Sequence, residues 1–287
     1  MQTFVDFLAT SFKKKGGELL LKNKVESIVI NNGKVEGVQI KSGEFVRSKC
    51  VISTTGVKQT FLNLINSEAA PRRLLDKAAT LISSISSLVV YLGVQGSPIN
   101  KKGWGRSVWY VPNGNADEIY KKVFNGGVDE DVELLLMAFP SQYDTTLAPA
   151  GCESLYLFLA APFRDAMFWN ENKMIFYDRI IRRVEELIPN LRSKIVVREI
   201  ATPSTIQRYT LNDDGAMYGL ASTTGQFRVN VMPQESLVSG LYLASHWTTV
   251  GAGQGGTPMA AYAGRSVARL ILSKNTKQKN SYESVNK

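Results

Sequence analysis

The stretch Gly240-Leu-Tyr-Leu-Ala-Ser-His-Trp-Thr-Thr-Val-Gly-Ala-Gly-Gln-Gly-Gly-Thr-Pro-Met259 constrains the fold of this chain more than any other segment. It reads as a short buried strand, a glycine-rich loop and a helix that starts at Thr257-Pro258 and runs through the apolar residues to Leu272. Glycines let the backbone approach a ligand closely, and a helix N-terminus offers unpaired N–H groups with a partial positive charge. Gly251-Ala-Gly-Gln-Gly-Gly256 formally matches G-x-G-x-x-G. A dinucleotide-binding unit, however, needs a second strand after the helix with an acidic residue about 20 positions on. Here one helix and a polar stretch follow, so the loop is expected to cap another part of a cofactor rather than to cradle its pyrophosphate.

His246 is the chain's single histidine and directly follows the strand Leu241–Ser245. In α/β folds ligand-facing residues gather at such strand ends, so His246 is a candidate hydrogen-bonding neighbour of a cofactor, or a general acid or base. One histidine with Cys50 and Cys152 cannot supply a structural zinc site, and no metal is expected. Two widely separated cysteines point to a reducing, cytoplasmic setting. The formal charge of +9 comes from lysines and arginines scattered along the chain. No arginine-rich helix or aromatic–basic interleaving points to nucleic acid, whereas attraction to the surface of an anionic membrane fits as a peripheral role. The longest apolar run, Leu81–Val94, contains four serines and is too short to span a bilayer.

Gln2–Lys15 carries Phe4, Val5, Leu8 and Phe12 at helical spacing and ends at Gly16-Gly17. Short strands are expected over Glu18–Leu21, Val25–Ile30, Val35–Lys41 and Glu44–Arg47. Asn31-Asn32-Gly33-Lys34 supplies the positive-φ residues of a tight hairpin. Cys50–Gly56 reads as a brief apolar strand running into a polar turn. A helical stretch over Gln59–Ala79 leads to candidate strands at Ser87–Val94, Ser107–Val111, Glu133–Phe139, Ser154–Ala160 and Ile195–Thr202. Ile175–Ile188 is the clearest helix, with Asp178 and Arg182 spaced as a surface ion pair. Aromatics in Phe163–Asn170 suit a lid, a membrane-touching loop or core packing. The organisation implies α/β structure of α+β character. Residues 1–57 and 236–272 would form one split domain, with a mainly antiparallel sheet-plus-helix domain inserted over 58–235 and a disordered polar tail at 273–287.

Three stretches together resemble the flavin-dependent phytoene desaturase, carotenoid isomerase and retinol saturase family. They are Gly16–Ile28 with Gly37-Val38, Gly43 and Val51-Ile-Ser-Thr-Thr55; Ala138–Gly151; and Gly240–Thr249 with the glycine loop after it. The resemblance implies a partial FAD/NAD(P)-binding domain with an inserted substrate domain, FAD as cofactor, and a long apolar polyene or isoprenoid as substrate. It also implies cofactor contacts at Val25, Thr54, Thr55, Ser245, His246, Gly253, Gly255, Gly256 and Thr257. His246 stands where relatives often carry an acidic or small polar residue. Family members begin with a strand–G-x-G-x-x-G–helix unit, and nothing like it precedes Phe4. The chain is therefore expected to be a C-terminal portion, inactive alone and completed by an N-terminal dinucleotide-binding polypeptide. A flavin amine oxidase relative and a non-catalytic protein that binds apolar ligands are the other readings.

Overall fold

The computed structural model describes residues 2–96, 104–226, 232–248 and 256–285, the last of these as backbone alone beyond 274. Two hydrophobic cores organise it. The larger is built on a five-stranded sheet of β5 (Ser86–Gln95), β6 (Ser107–Tyr110), β7 (Leu135–Ala138), β8 (Cys152–Ala161) and β9 (Ile195–Ala201). The spatial order is β6-β7-β8-β5-β9, and every neighbouring pair is antiparallel. Strand alternation sends Leu88, Val90 and Leu92 of β5 and Leu155, Leu157 and Leu159 of β8 to one face. The long helix α4 (Ala166–Leu187) lies on that face and buries Trp169, Phe176, Ile180, Ile181 and Val184. Asp165 caps it by accepting the Phe168 N–H, so the helix starts earlier than the apolar spacing suggests and absorbs most of the aromatic cluster. Trp169 is core, while Met167 is exposed. Asp178 pairs with Arg192, at 2.8 Å, and not with Arg182 as its helical spacing suggested. The turn after α4 brings Arg192, at the start of α5 (Leu191–Lys194), back beside it.

The second core joins distant parts of the chain. β1 (Val25–Asn31), β2 (Lys34–Ile40) and β3 (Phe45–Arg47) form an antiparallel meander. Its first hairpin turns through Asn32 and Gly33, both at positive φ, as the sequence predicts. β4 (Val51–Ser53) pairs in parallel with β10 (Leu241–Leu243). After β4 comes a π-helical turn over Gln59–Asn63, then α2 (Arg72–Thr80), which buries Leu74, Leu75 and Ala78. Ile28, Val57, Phe61, Leu74, Ala216, Leu220, Leu241 and Trp247 share this core. Residues within 57–81, together with Ala216, Leu220 and Met232, thus share a core with Leu241 and Leu243 of β10 rather than with the inserted sheet.

The remaining elements are helices. α3 (Ala116–Phe124), capped by Asn115, packs Ile119 and Val123 against Ala160. α6 (Pro203–Thr210), capped by Thr202, follows β9. α7 spans Thr257–Val285, so helical backbone continues into the polar stretch expected to be disordered. Lysine and glutamine, as in Lys277-Gln278-Lys279, are adequate helix formers. α1 (Gln2–Lys14) forms as the spacing predicts but buries no residue. The strand expected over Glu18–Leu21 is absent, and Leu19–Leu21 are exposed. With no partner strand beside them, those leucines have no ladder to join.

Candidate functional site

β4 and β10 run in the same direction in the register Val51–Leu241, Ile52–Tyr242, Ser53–Leu243. The segments leaving them, Thr54-Thr55-Gly56 and Ala244-Ser245-His246, therefore emerge side by side. The Ala244 N–H donates to the Ser53 carbonyl at 2.8 Å, and Ser245 Oγ donates to the Thr55 carbonyl at 3.5 Å. Ser245 Oγ also accepts the Trp247 N–H at 3.3 Å, and the Ser245 carbonyl accepts from Thr248 Oγ1 at 3.0 Å. Beneath the turn, Ser53 Oγ and Thr60 Oγ1 are 2.8 Å apart, and Thr60 Oγ1 donates to the Gly56 carbonyl at 2.9 Å. Gly56 lies against the buried Trp247 ring, where a Cβ would come within 3.4 Å.

His246 stacks on Trp247 with ring centroids 5.8 Å apart. Its other side is closed by Gly219, at φ +75°, where a Cβ would sit 2.5 Å from His246 Cδ2. Burial pushes the imidazole pKa below its ordinary value, so the ring is held neutral. Two side-chain atoms at this strand end, Thr55 Oγ1 and His246 Nε2, are buried without a hydrogen-bond partner among the described residues. Buried polar atoms are normally satisfied, so these two are candidate partners for a polar group of a ligand.

The chain leaves β10 at Ala244 and enters α7 at Thr257; α7 returns along the strands, with Val267 packed on Tyr242 and Ala244. The N-terminus of α7 consequently lies at the C-terminal end of β10. Gly256, at φ +98°, precedes it, and Gly256 and Thr257 are both exposed. Gly253 and Gly255 lie outside the described residues. Thr54 is exposed at the end of β4. Val25 opens β1 on the meander, and the hydrogen bonds of the Thr55–Ser245 turn do not reach it.

One polar network escaped the sequence reading. Lys58 Nζ donates to Asp213 Oδ2 at 2.7 Å, and Ser83 Oγ donates to the same oxygen at 2.6 Å. These residues are 155 and 130 positions apart from Asp213, so no local pattern announces them. Asp214 beside them has its carboxyl pKa raised, first by burial and then by Asp213, with Lys58 partly offsetting the rise. A cavity of about 490 Å³ opens here, walled by Lys58, Ile82, Ile85, Phe124, Phe163 and Asp214. Leu81 of the second core and Val123 of α3 also line it. No helix among the described residues is long and apolar enough to cross a membrane, and no group of metal-ligating side chains is found among them.

Prolycopene isomerase of carrot (Daucus carota) is 25% identical over 82% of this chain and 37% of its own length. The 4,4'-diaponeurosporene oxygenase of Staphylococcus aureus is 26% identical over 89% of this chain and 50% of its own. An oxidoreductase structure from Methanosarcina mazei superposes with a TM-score of 0.62 at 18% identity, over 92% of this chain and 53% of that one. The chain thus spans about half the length, or less, of the proteins it matches. Residues 1–272 match the flavin-containing amine oxidoreductase family, whose cofactor is FAD, and the chain belongs to that family.

Proposed function

We propose that this chain forms one side of a FAD site in an oxidoreductase acting on a long apolar polyene or isoprenoid. The observation that carries the reading is the parallel β4–β10 pair, at whose C-terminal ends two buried polar atoms lack a described partner. The residues present suit a flavin. Thr55 Oγ1 and neutral His246 offer hydrogen bonds, Gly256 leaves backbone open to close approach, and the first turn of α7 favours negative charge. Thr54, Thr55, Ser245, His246, Gly256 and Thr257 would hold the group, and Gly253 and Gly255 belong to the same proposal. When bound, FAD supplies a two-electron acceptor and donor for hydride transfer.

The chain's own residues then have separate tasks. Gly219 and Trp247 fix the imidazole plane of His246, and the Ser245–Thr55 bond locks the two strand ends together. The cavity behind Lys58 is open to solvent and mixed in lining, and its apolar side chains Ile82, Ile85, Phe124 and Phe163 would lie against a bound chain. The names of the carrot and staphylococcal relatives support a polyene as substrate. Whether that substrate is desaturated, saturated or isomerised is a choice among reactions of one flavin chemistry. The family's amine oxidoreductases supply a second reading, in which the reductant is an amine.

The test is spectroscopic. At high FAD concentration the chain should perturb the flavin visible band, and Gly256→Val should abolish the perturbation by obstructing close approach. An unchanged spectrum in that variant would remove Gly256 from the site. Bleaching of the band by an amine and by no isoprenoid would favour the second reading.

A further inference from the structure

The cavity beside Lys58 has a lining of two kinds. Ile82, Ile85, Phe124 and Phe163 are among its apolar side chains, and Lys58, Ser83 and Asp214 among its polar ones. Its volume of about 490 Å³ lies within the range of about 300–1,000 Å³ usual for small-molecule pockets. A cavity meant for hydrocarbon alone has no use for charged groups, because burying them without a partner is costly.

Most of these polar groups are already engaged. Asp213 Oδ2 accepts from Lys58 Nζ at 2.7 Å and from Ser83 Oγ at 2.6 Å. Ser84 Oγ accepts the Tyr218 N–H at 3.0 Å, and Thr80 Oγ1 donates to the Lys77 carbonyl at 2.9 Å. Two groups keep free capacity. An ammonium carries three N–H donors, and Lys58 uses one of them on Asp213. The Asp214 carboxyl makes no hydrogen bond or ion pair among the described residues, and its backbone is held at φ +53°.

These two groups ask for opposite things, since Lys58 needs an acceptor and Asp214 a donor. A hydroxyl gives and accepts a hydrogen bond through a single oxygen. Other chain ends fit less well. An ammonium would pair with Asp214 but meet the like charge of Lys58. A carboxylate or phosphate would pair with Lys58 but face Asp213 and Asp214. An aldehyde or ketone oxygen offers nothing to Asp214, and a hydrocarbon end displaces water from both groups without replacing it.

We propose that this cavity binds a long apolar molecule ending in a hydroxyl group. The hydroxyl oxygen accepts from Lys58 Nζ and donates to the Asp214 carboxyl, while the hydrocarbon lies against Ile82, Ile85, Phe124 and Phe163. Asp213 and Ser83 are positioning residues that fix the Lys58 ammonium. The isoprenoid nature of the chain rests on the function proposed above. The preference for a hydroxyl end rests on Lys58 and Asp214 alone.

Four isoprenoids that share a fifteen-carbon chain test this: farnesene, farnesol, farnesylamine and farnesoic acid. Each is titrated by calorimetry into the purified protein without flavin, below its aggregation concentration. Farnesol is expected to bind about tenfold or more tightly than the other three. Asp214→Gly removes the carboxyl and suits the positive φ. It should bring farnesol to within about threefold of farnesene and leave farnesene itself unchanged. Asp214→Asn, whose amide oxygen still accepts, should restore most of the preference. Thermal midpoints check that the variants fold. If Asp214→Gly does not, Asp214→Lys serves instead and should move the preference to farnesoic acid. Another member of the series binding as tightly as farnesol, a farnesol preference that survives in Asp214→Gly, or binding by none of the four would overturn the proposal. Farnesol selectivity in a protein that fails to bind FAD would sink the flavin reading and leave this site intact. Flavin binding without that selectivity would do the reverse.

Discussion

The five-stranded sheet and the β4–β10 pair are built from similar residues and end in opposite conditions. In the former, ten-residue strands lie under a 22-residue helix, and Leu88, Leu157, Ile180 and Ile181 are wholly buried. In the latter, three-residue strands stop at an open edge, with Ile52 and all of α1 uncovered and two buried polar atoms without described partners. The sheet is finished by its own sequence. The parallel pair ends at two buried polar atoms that no described group satisfies.

The sharpest way to break this contrast is by truncation. Trp169→Ala in the sheet core should cost about 3–5 kcal/mol, read as a lower urea midpoint, because the ring is fully enclosed. Phe7→Ala in α1 should stay within about 0.5 kcal/mol of the parent, since nothing is packed on it. Equal losses in the two variants would show that α1 is not the free surface described. Next in size is Gly219→Ala, which combines a positive φ with a Cβ placed 2.5 Å from His246. It should destabilise by about 1–3 kcal/mol and displace the imidazole, seen as a shifted histidine resonance. Smaller again is Lys58→Met, which strands Asp213 in a half-buried pair and should cost about 1 kcal/mol by thermal melting.

The smallest effect is pH-linked. The folded His246 pKa lies below its unfolded value, so between the two the unfolded chain binds more protons. Stability should therefore fall as pH drops below about 6.5, the unfolded histidine value. His246→Gln should remove that part of the slope. A slope of the opposite sign would mean that the ring is charged in the folded chain.

The sequence made the strand at Leu241 and the helix start at Thr257 readable because their signals are local: an apolar triplet, and Thr-Pro at a helix start. The same holds for the Asn32-Gly33 hairpin and for the helical core of α4. What stayed hidden depends on contacts across the chain. Nothing near Lys58 points to Asp213, and nothing near Gly219 announces that it closes over His246. The spacing in α1 predicts its helix, but periodicity specifies an apolar face without saying what covers it. Asp178 shows the converse, since a nearby helical partner lost to Arg192, which the following turn delivers.

Titrating FAD into the purified chain, followed by flavin fluorescence, tests most directly whether the site at the β4 and β10 ends is one side of a divided pocket. The account predicts binding weaker than about 10 μM, or less than about 7 kcal/mol, and further weakened by Gly256→Val. Stoichiometric binding at micromolar concentration or below would contradict it, because the pocket would then be complete within these residues.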